Sequence, residues 1–399
     1  MGQRRPEDEP PTLRNFIGTS ARRLSAEHEL FRDSVRSFVA AEIAPNIHAW
    51  DEAQTFPREL YRKAAHIGLL GLGYPEAYGG TPADTWFRLI ATEEIARAGS
   101  GGLMASLFSH NIGLPPILAH GSEALKQRIV PAVLAGEKVA ALAITEPGGG
   151  SDVARLRCSA RLDGDSWVIN GEKTFITSGM RADWITLAVR TGGKGAAGIS
   201  LIAVPGDAPG LERQLLPKMG WWCSDTAQLR FNDCRVPADQ LVGQENAGFK
   251  AIMENFNGER LLMSAGANAF AQVCCDEALD WARQRRTFGA PLVEHQVIRH
   301  KLMDMHMRIA STRAWLHALV QRLEDEDTGP DWVAELCLLK NHATQTMQFC
   351  ADQAVQILGG MGFMRGTKSE RIYREVKVMM IGGGAEEIMK ELAARQLGV

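Results

Sequence analysis

The chain has 399 residues, of which 45% are hydrophobic and 23% charged, and its formal net charge is −3. These values are ordinary for a soluble globular protein, and the length suggests two or three domains. The nearly neutral charge does not favour a nucleic-acid-binding or an anionic-membrane surface. No apolar run is long enough for a membrane-spanning helix, so we expect no membrane insertion.

The N-terminal segment MGQRRPEDEPP has neither the apolar core of a secretory signal nor the acid-poor composition of a transit peptide. It predicts a disordered tail over residues 1–24 of a cytoplasmic protein. The seven cysteines contain no C-x-x-C pair, which predicts reduced thiols. The ten histidines show no ligand-like cluster, so we expect no metal site.

Residues 25–138 have helical patterning and predict an N-terminal α-helical domain. Ser25 can cap a helix whose apolar residues recur on one face. Pro45 should end that helix, and Pro57 suits the first turn of the next one. The segment GYPEAYGG, residues 73–80, predicts a turn before a helix that covers Trp86–Ala98.

Residues 139–245 have strand-like runs in place of helical periodicity and predict a middle β domain. Short apolar runs such as SWVIN, WITLAVR and GISLIAV alternate with turn signals. The pairs Asp163-Gly164 and Asn170-Gly171 are typical of hairpin turns. About a hundred residues of short strands favour a small barrel or sandwich.

The helical period returns over residues 246–399, where Ile298, Leu302 and Met305 share one face. The pair Gly329-Pro330 predicts a loop between two long helices. Long helices with short connections favour an antiparallel four-helix bundle. The sequence therefore predicts an α+β multidomain fold with a helical domain, a middle β-barrel domain and a helical bundle.

The stretch AITEPGGGSD, residues 143–152, leaves backbone N–H groups uncovered, as the approach of a phosphate or a planar ring requires. Taken alone, it could be a plain β-turn, and it lacks the G-x-G-x-x-G dinucleotide fingerprint. Four further segments follow at intervals: KTFITSG (173–179), RQRRTFGAPLVEHQ (283–296), QILGGMGF (356–363) and IGGGAEEIM (381–389).

These segments, together with YPEAYGG near residue 78, resemble in order and spacing the motifs of the acyl-CoA dehydrogenase family. The resemblance covers roughly residues 25–399. It implies the same three-domain fold, FAD as cofactor, an acyl-CoA substrate and electron-transfer flavoprotein as electron acceptor. It also implies a homotetramer built as a dimer of dimers, in which FAD lies at an interface between subunits.

The resemblance also implies which residues form the sites. Those expected to line the flavin within one chain are Leu142, Ile144, Thr145, Gly150, Ser151, Phe175, Ile176, Thr177, Ala385 and Glu387. Those expected to reach the FAD of a neighbouring subunit are Arg285, Thr287, Phe288, His295, Gln296, Gln356, Gly359 and Gly360. The expected substrate contacts are Ser151, Asn257 and Arg260. Phe175 stands where the family often has Trp, and Ala385 replaces a usual Thr, so a hydroxyl contact with FAD is in doubt.

The family removes the α-proton of an acyl-CoA with a carboxylate and passes the β-hydrogen as hydride to flavin N5. Many members carry this base in a terminal I-Y-E-G-T segment, where this chain has Gly383. Glu386 and Glu387 fall later and are typical of residues that complement a helix dipole. The isovaleryl-CoA and long-chain branches take the base from an E-R-L motif, which FNGERLLM contains at Glu259.

The sequence therefore predicts α,β-dehydrogenation of an acyl-CoA to a trans-2-enoyl-CoA in fatty acid β-oxidation, with Glu259 as the base. The backbone N–H of Gly383 is expected to bind the thioester carbonyl, and medium-to-long or branched acyl groups are favoured. The alternatives are an acyl-CoA oxidase or monooxygenase on the same fold, and a non-catalytic acyl-CoA-binding homologue. Trp221 and Trp222 could cap the active site or pack between subunits; packing is favoured.

Overall fold

A computed structural model describes residues 24–399, apart from the side chain of Glu254. Helices occupy the chain before Ala140, strands follow as far as Val242, and helices resume at Gly248. This order confirms the predicted fold class. The predicted tail, except for Leu24, lies outside the described residues.

The N-terminal part is a cluster of helices. They are α1 (Ala26–Phe38), α2 (Ile47–Ala53), α3 (Glu59–His66), α4 (Thr85–Ala96), α5 (Gly101–Leu107), α6 (His110–Gly113), α7 (Pro115–His120) and α8 (Glu123–Leu134). The Ser25 hydroxyl accepts the N–H of His28 at 3.3 Å, so the predicted cap is confirmed. Pro57 precedes α3 by two residues instead of opening it, and its carbonyl accepts the N–H of Leu60.

The middle part is one twisted, mainly antiparallel sheet. Its strands are β1 (Ala140–Ala143), β2 (Ser159–Asp163), β3 (Ser166–Thr177), β4 (Trp184–Arg190), β5 (Ile199–Pro205), β6 (Leu211–Leu215), β7 (Thr226–Pro237) and β8 (Leu241–Val242). The strand order is β6-β7-β3-β2-β4-β5-β8, and β1 pairs with β4 in parallel. The pair Asp163-Gly164 joins β2 to β3, as predicted.

The pair Asn170-Gly171 does not form a turn, so that prediction is wrong. Both residues lie inside β3, where the pairing with β7 shifts register between Ile169 and Gly171. Gly171 has φ +137°, and a Cβ there would lie 2.7 Å from the Cα of Cys158. The glycine therefore serves a β-bulge and a close backbone approach, which sequence alone did not distinguish from a hairpin.

The C-terminal part is a bundle of long helices. They are α9 (Gly248–Gln284), α10 (Gln296–Glu324), α11 (Pro330–Leu358), α12 (Gly360–Phe363), α13 (Lys368–Ile381) and α14 (Glu386–Leu397). A short hairpin, β9 (Arg286–Thr287) and β10 (Ala290–Pro291), links α9 to α10. The predicted stripe on α10 is buried at Leu302, Met305 and Ile309. Among residues 24–399, no helix is long and apolar enough to cross a membrane.

The three parts meet at a buried polar cluster. Trp222 lies between two arginines of the C-terminal part, with its ring centroid 4.1 Å from Arg365 and 4.0 Å from Arg374. Arg374 also reaches Asp51 of α2 at 3.1 Å. Trp221 packs against the backbone at the start of α5. Within one chain, both tryptophans therefore join domains to one another.

The carboxyl of Glu375 is the most deeply buried acid in this cluster. It is fully buried and accepts the N–H of Gly101 at 2.7 Å. Burial, the largest influence, raises the pKa of Glu375 from 4.5 to about 7. Since the unfolded chain ionises near 4.5, the folded protein loses stability as the pH rises from that value to about 7.

We expect Glu375→Gln to remove this pH-dependent loss, because the amide oxygen can still accept from Gly101 while carrying no charge. Between about pH 5 and about pH 8, the free energy of unfolding of the variant should increase by up to about 3 kcal/mol relative to that of the wild type. Thermal unfolding at both pH values measures the change, with exposed Glu27→Gln as the control. A difference in Tm that stays constant with pH would contradict the prediction.

Candidate active site

The turn that follows α13 is built from glycines that no other residue replaces easily. Gly383 and Gly384 have φ +66° and +116°, a region that only glycine adopts without strain. A Cβ on Gly383 would lie 2.7 Å from the Sδ of Met263 on α9, and one on Gly384 would lie 2.3 Å from the Cε of Met389. A side chain at Gly383 would therefore need both a left-handed backbone conformation and a displaced Met263 side chain.

Two buried cations hold the carbonyl groups of this glycine turn. The Nε of Arg260 donates to the oxygen of Gly383 at 3.1 Å. The Nζ of Lys340 donates to the oxygen of Gly384 at 2.7 Å and to that of Met380 at 3.1 Å. Positive charge at the end of α13 also complements the helix dipole. Within residues 24–399, the N–H of Gly383 has no hydrogen-bond acceptor.

Glu259 lies one residue before Arg260 on α9 and faces the same cations. Desolvation raises the pKa of its carboxyl from 4.5 to about 7, while the charges of Arg260 and Lys340 lower it by smaller amounts. Arg260 also donates to the Oδ1 of Asn257 at 3.1 Å. The structure thus brings the predicted Asn257, Arg260 and Gly383 into direct contact, and it places Glu259 within range of the charges of Arg260 and Lys340. A carboxyl with a pKa near neutrality is suited to exchange a proton at neutral pH.

The other two candidate carboxylates lie at the start of α14. The Oε2 of Glu386 accepts from Gln345 at 3.1 Å, and its carbonyl oxygen accepts from Asn341 at 2.9 Å. Glu387 is exposed. Both occupy the first turn of the helix, where negative charge is favoured by the helix dipole. Ala385, which was predicted to approach FAD, is the half-buried residue that precedes this turn.

The glycine-rich loop after β1 presents open backbone to solvent. A Cβ on Gly148 or Gly149 would meet no atom within 4 Å. Gly150 and Ser151 are exposed, and Thr145 is half-buried. The loop is fixed at its base, because the carbonyl of Thr145 accepts the N–H of Thr174 at 2.9 Å. A loop with uncovered backbone N–H groups and a fixed starting point is suited to bind a phosphate or a ring edge.

A buried ion pair that sequence reasoning missed anchors this loop. The Nζ of Lys173 lies 2.9 Å from the Oε1 of Glu146 and donates to the carbonyl of Ile144 at 2.8 Å. Glu146 also accepts the N–H groups of Arg157 and Cys158, at 2.6 and 2.8 Å. Glu146 stands inside one of the motifs and Lys173 opens the next, but the sequence does not show that the two side chains are buried together.

The segment KTFITSG places one aromatic ring at the surface and one apolar side chain in the core. Phe175 has φ +60° and is 69% exposed, so strained backbone presents its ring to the outside. Thr177 is half-buried. Ile176 is only 3% exposed, and its side chain packs in the sheet core because side chains alternate along β3. If Ile176 lies against a flavin ring, as predicted, its backbone is therefore the part available for that contact.

Hydrophobic packing connects the loop to the helix that carries Glu259. Leu142 and Ile144 belong to one cluster with Ile252 and Phe256 of α9. The ring of Phe256 lies 5.7 Å from the guanidinium of Arg260. The predicted flavin-lining residues of the middle domain and the predicted base are thus held by one continuous apolar contact.

The other predicted cofactor residues form a separate group at the far end of the bundle. The hydroxyl of Thr287 lies 3.0 Å from the Nε2 of His295. Phe288 has φ +49° and is fully exposed. The remaining residues of this group are all exposed: Arg285, Gln296, Gln356, Gly359 and Gly360.

The two groups are too far apart to share one small molecule within a chain. Glu259 and Gln284 are joined by continuous α9, and helical rise places roughly 38 Å between them. The far group also carries large exposed apolar side chains at Phe288 and Phe363. Exposed apolar surface of this kind marks an interaction surface.

We expect the Glu146–Lys173 pair to be required for stability of the loop. Either Glu146→Gln or Lys173→Met leaves a buried charge without its partner, so each should cost about 3–5 kcal/mol. The double variant should cost clearly less than the sum of the two. Urea unfolding of all four proteins measures the coupling. Strictly additive costs would mean that the two groups do not interact.

We expect Gly383→Ala to destabilise the protein by roughly 1–3 kcal/mol, because it combines positive φ with a clash against Met263. Adding Met263→Ala should recover only the part of the loss that is due to the clash. Gly148→Ala, at an open position without positive φ, is the matched control. A Gly383→Ala variant as stable as the control would show that the turn is not constrained as described.

Comparison with known proteins agrees with this architecture. Family models described as the N-terminal, middle and C-terminal domains of acyl-CoA dehydrogenase match residues 25–137, 141–234 and 246–398. The chain is 36% identical over 394 residues to the long-chain specific acyl-CoA dehydrogenase, mitochondrial, of Sus scrofa, with 98% of this chain and 91% of that protein covered.

Solved structures also match over most of the chain. The crystal structure of acyl-CoA dehydrogenase from Geobacillus kaustophilus is 35% identical, with a TM-score of 0.91, and covers 95% of this chain and 100% of that chain. A glutaryl-CoA dehydrogenase from Mycobacterium smegmatis in complex with FADH2 is 25% identical, with a TM-score of 0.86, covering 94% and 95%. The chain belongs to the acyl-CoA dehydrogenase family, a family of flavoenzymes of fatty acid oxidation.

Proposed function

We propose that the protein catalyses the FAD-dependent dehydrogenation of an acyl-CoA between Cα and Cβ, with Glu259 as the base. The observation that supports this proposal is that Glu259 and the glycine turn share two cations. Arg260 and Lys340 bind carbonyl groups of the turn, and their charges also act on the carboxyl of Glu259, whose pKa is raised. Proton removal next to a carbonyl needs a base and a donor to the carbonyl oxygen.

The chain's own residues account for the proton transfer. The carboxylate of Glu259 takes the α-proton, and the electron pair of the broken C–H bond moves toward the thioester oxygen. The N–H of Gly383 donates to that oxygen and stabilises the developing negative charge. Arg260 keeps the turn in place through the Gly383 carbonyl and binds Asn257, the other predicted substrate residue.

The residues present fit an FAD molecule. The open loop at Gly148–Gly150 suits a phosphate or ring edge, and the exposed ring of Phe175 suits an aromatic cofactor. FAD, when bound, accepts the hydrogen of Cβ as hydride. Thr145, Ser151 and Thr177 would donate or accept hydrogen bonds beside it, and Ser151 would also contact the substrate.

We further propose that the protein is a homotetramer, in which a second copy of the chain completes each FAD-binding site. The far group at the end of α9 cannot reach the flavin of its own chain, because the helix separates them by roughly 38 Å. Its exposed Phe288, with Thr287 and His295 beside it, would instead contact the FAD that is bound by a neighbouring chain. Electron-transfer flavoprotein is the proposed electron acceptor, and acyl-CoA of medium-to-long or branched chain is the proposed substrate class.

Anaerobic titration with a panel of acyl-CoAs tests this proposal through the visible absorbance of the flavin. Wild-type protein should bleach with at least one chain class, and Glu259→Gln should keep its flavin but bleach at least about a thousandfold more slowly. Glu386→Gln, which removes a competing carboxylate, should still bleach. Retained reduction in Glu259→Gln, or its loss in Glu386→Gln, would overturn the assignment of the base.

Rapid reaction of the reduced protein with oxygen would favour an oxidase instead. A purified protein without flavin, or one that no acyl-CoA bleaches, would favour a non-catalytic acyl-CoA-binding role.

A further inference from the structure

We propose that Lys340 is a positioning residue of the active site, one that holds the Gly383 N–H in its donating orientation and sets the charge around Glu259. The inference rests on the proposed function and deepens it. Lys340 lies on α11 and is fully buried. A buried lysine needs a reason, because removal of its ammonium group from water is costly.

The first part of the inference comes from the geometry of the turn. Gly382, Gly383 and Gly384 have no side chains with which to pack, and glycine is the most flexible of residues. Their carbonyls must therefore be fixed from elsewhere. Lys340 binds the oxygens on either side of the turn, at Met380 and Gly384, with distances of 3.1 and 2.7 Å.

Arg260 completes this arrangement by binding the oxygen between those two. Its Nε lies 3.1 Å from the oxygen of Gly383. These contacts hold the peptide planes that contain the carbonyls of Met380, Gly383 and Gly384. The N–H of Gly383 belongs to the intervening plane between Gly382 and Gly383, which is constrained from both sides by the planes that the two cations hold. A donor fixed in advance is what stabilisation of an enolate-like charge requires.

The second part comes from the charges that face Lys340 and Glu259. Desolvation lowers the pKa of Lys340 to about 8; the charge of Glu386 opposes this shift most strongly, Arg260 adds to it, and Glu259 and Cys337 oppose it. The positive charge of Lys340 in turn lowers the pKa of Glu259, which desolvation has raised to about 7. The active form has Glu259 ionised and Lys340 protonated.

This arrangement has a consequence for pH dependence. The rate of flavin reduction should rise as Glu259 ionises near pH 7 and fall as Lys340 loses its proton near pH 8. Arginine stays charged over the whole range, so Lys340→Arg should remove the fall at high pH. Lys340→Met should also remove the decrease in rate at high pH. Because it removes a positive charge near Glu259, it should shift the increase in rate to a pH about half to one unit higher.

Lys218 offers a matched control. It is a half-buried lysine whose pKa desolvation lowers to about 8, and it donates to the carbonyl of Trp221 at 2.7 Å. It belongs to the contacts between domains and touches none of the residues assigned to catalysis. Lys218→Met should therefore reduce stability without changing either limb of the pH profile.

The experiment measures flavin reduction by an acyl-CoA between about pH 6 and about pH 10 in wild type, the two Lys340 variants and Lys218→Met. Infrared difference spectroscopy follows the protonated carboxyl of Glu259 over the same range, with Glu259→Gln to assign the band. Lys340→Met should also bind acetoacetyl-CoA, which readily forms an enolate, about tenfold more weakly than wild type. Its affinity for a saturated acyl-CoA should change less.

A high-pH limb that persists in Lys340→Arg would overturn the inference. So would an unchanged Glu259 band in Lys340→Met, or equal shifts in Lys218→Met. If Lys340→Met does not fold, Lys340→Arg alone decides, through the loss of the high-pH limb. If no acyl-CoA reduces the wild-type flavin, the proposed function fails, while the infrared titration still tests whether Lys340 controls Glu259.

Discussion

The proposed active site depends on a backbone turn that is made of glycines and held by two cationic side chains. Three glycines end α13, and two of them adopt dihedral angles that other residues avoid. Such a turn would be mobile on its own. Arg260 and Lys340, which come from two other helices of the bundle, fix its carbonyls. The shape of the site therefore depends on the packing of α9 and α11 against α13.

The same constraint explains why a carboxylate can come from α9 instead of the turn. The Met263 side chain, one helical turn after Glu259, lies where a side chain at Gly383 would begin and would have to move to admit one. Glu259 and Met263 thus share one face of α9, from which the proposed base and a neighbouring apolar side chain both approach the turn. A base needs only to reach one point in space, and the bundle offers a more rigid support for it than a loop would.

Much of this was predictable from sequence. Helical periodicity and the Gly329-Pro330 break predicted the bundle, and the resemblance to the family, with Gly383 and Glu259 considered together, predicts Glu259 as the base. Asn170-Gly171 was misread, because a glycine needed for close approach to Cys158 looks the same as one needed for a hairpin. Glu146, Lys173 and Lys340 were missed, since a buried charge is distinguished from a surface charge only by its three-dimensional surroundings.

The length of α9 has a consequence for how the protein acquires its cofactor. In the proposed arrangement, each flavin is bound by residues from two chains, so assembly and cofactor binding are thermodynamically linked. Dilution that separates the subunits would weaken the hold on FAD, and loss of FAD would weaken the assembly by the same free energy. Apoprotein and holoprotein would then differ in oligomeric state at a given concentration, even though neither α9 nor the turn it supports changes its fold.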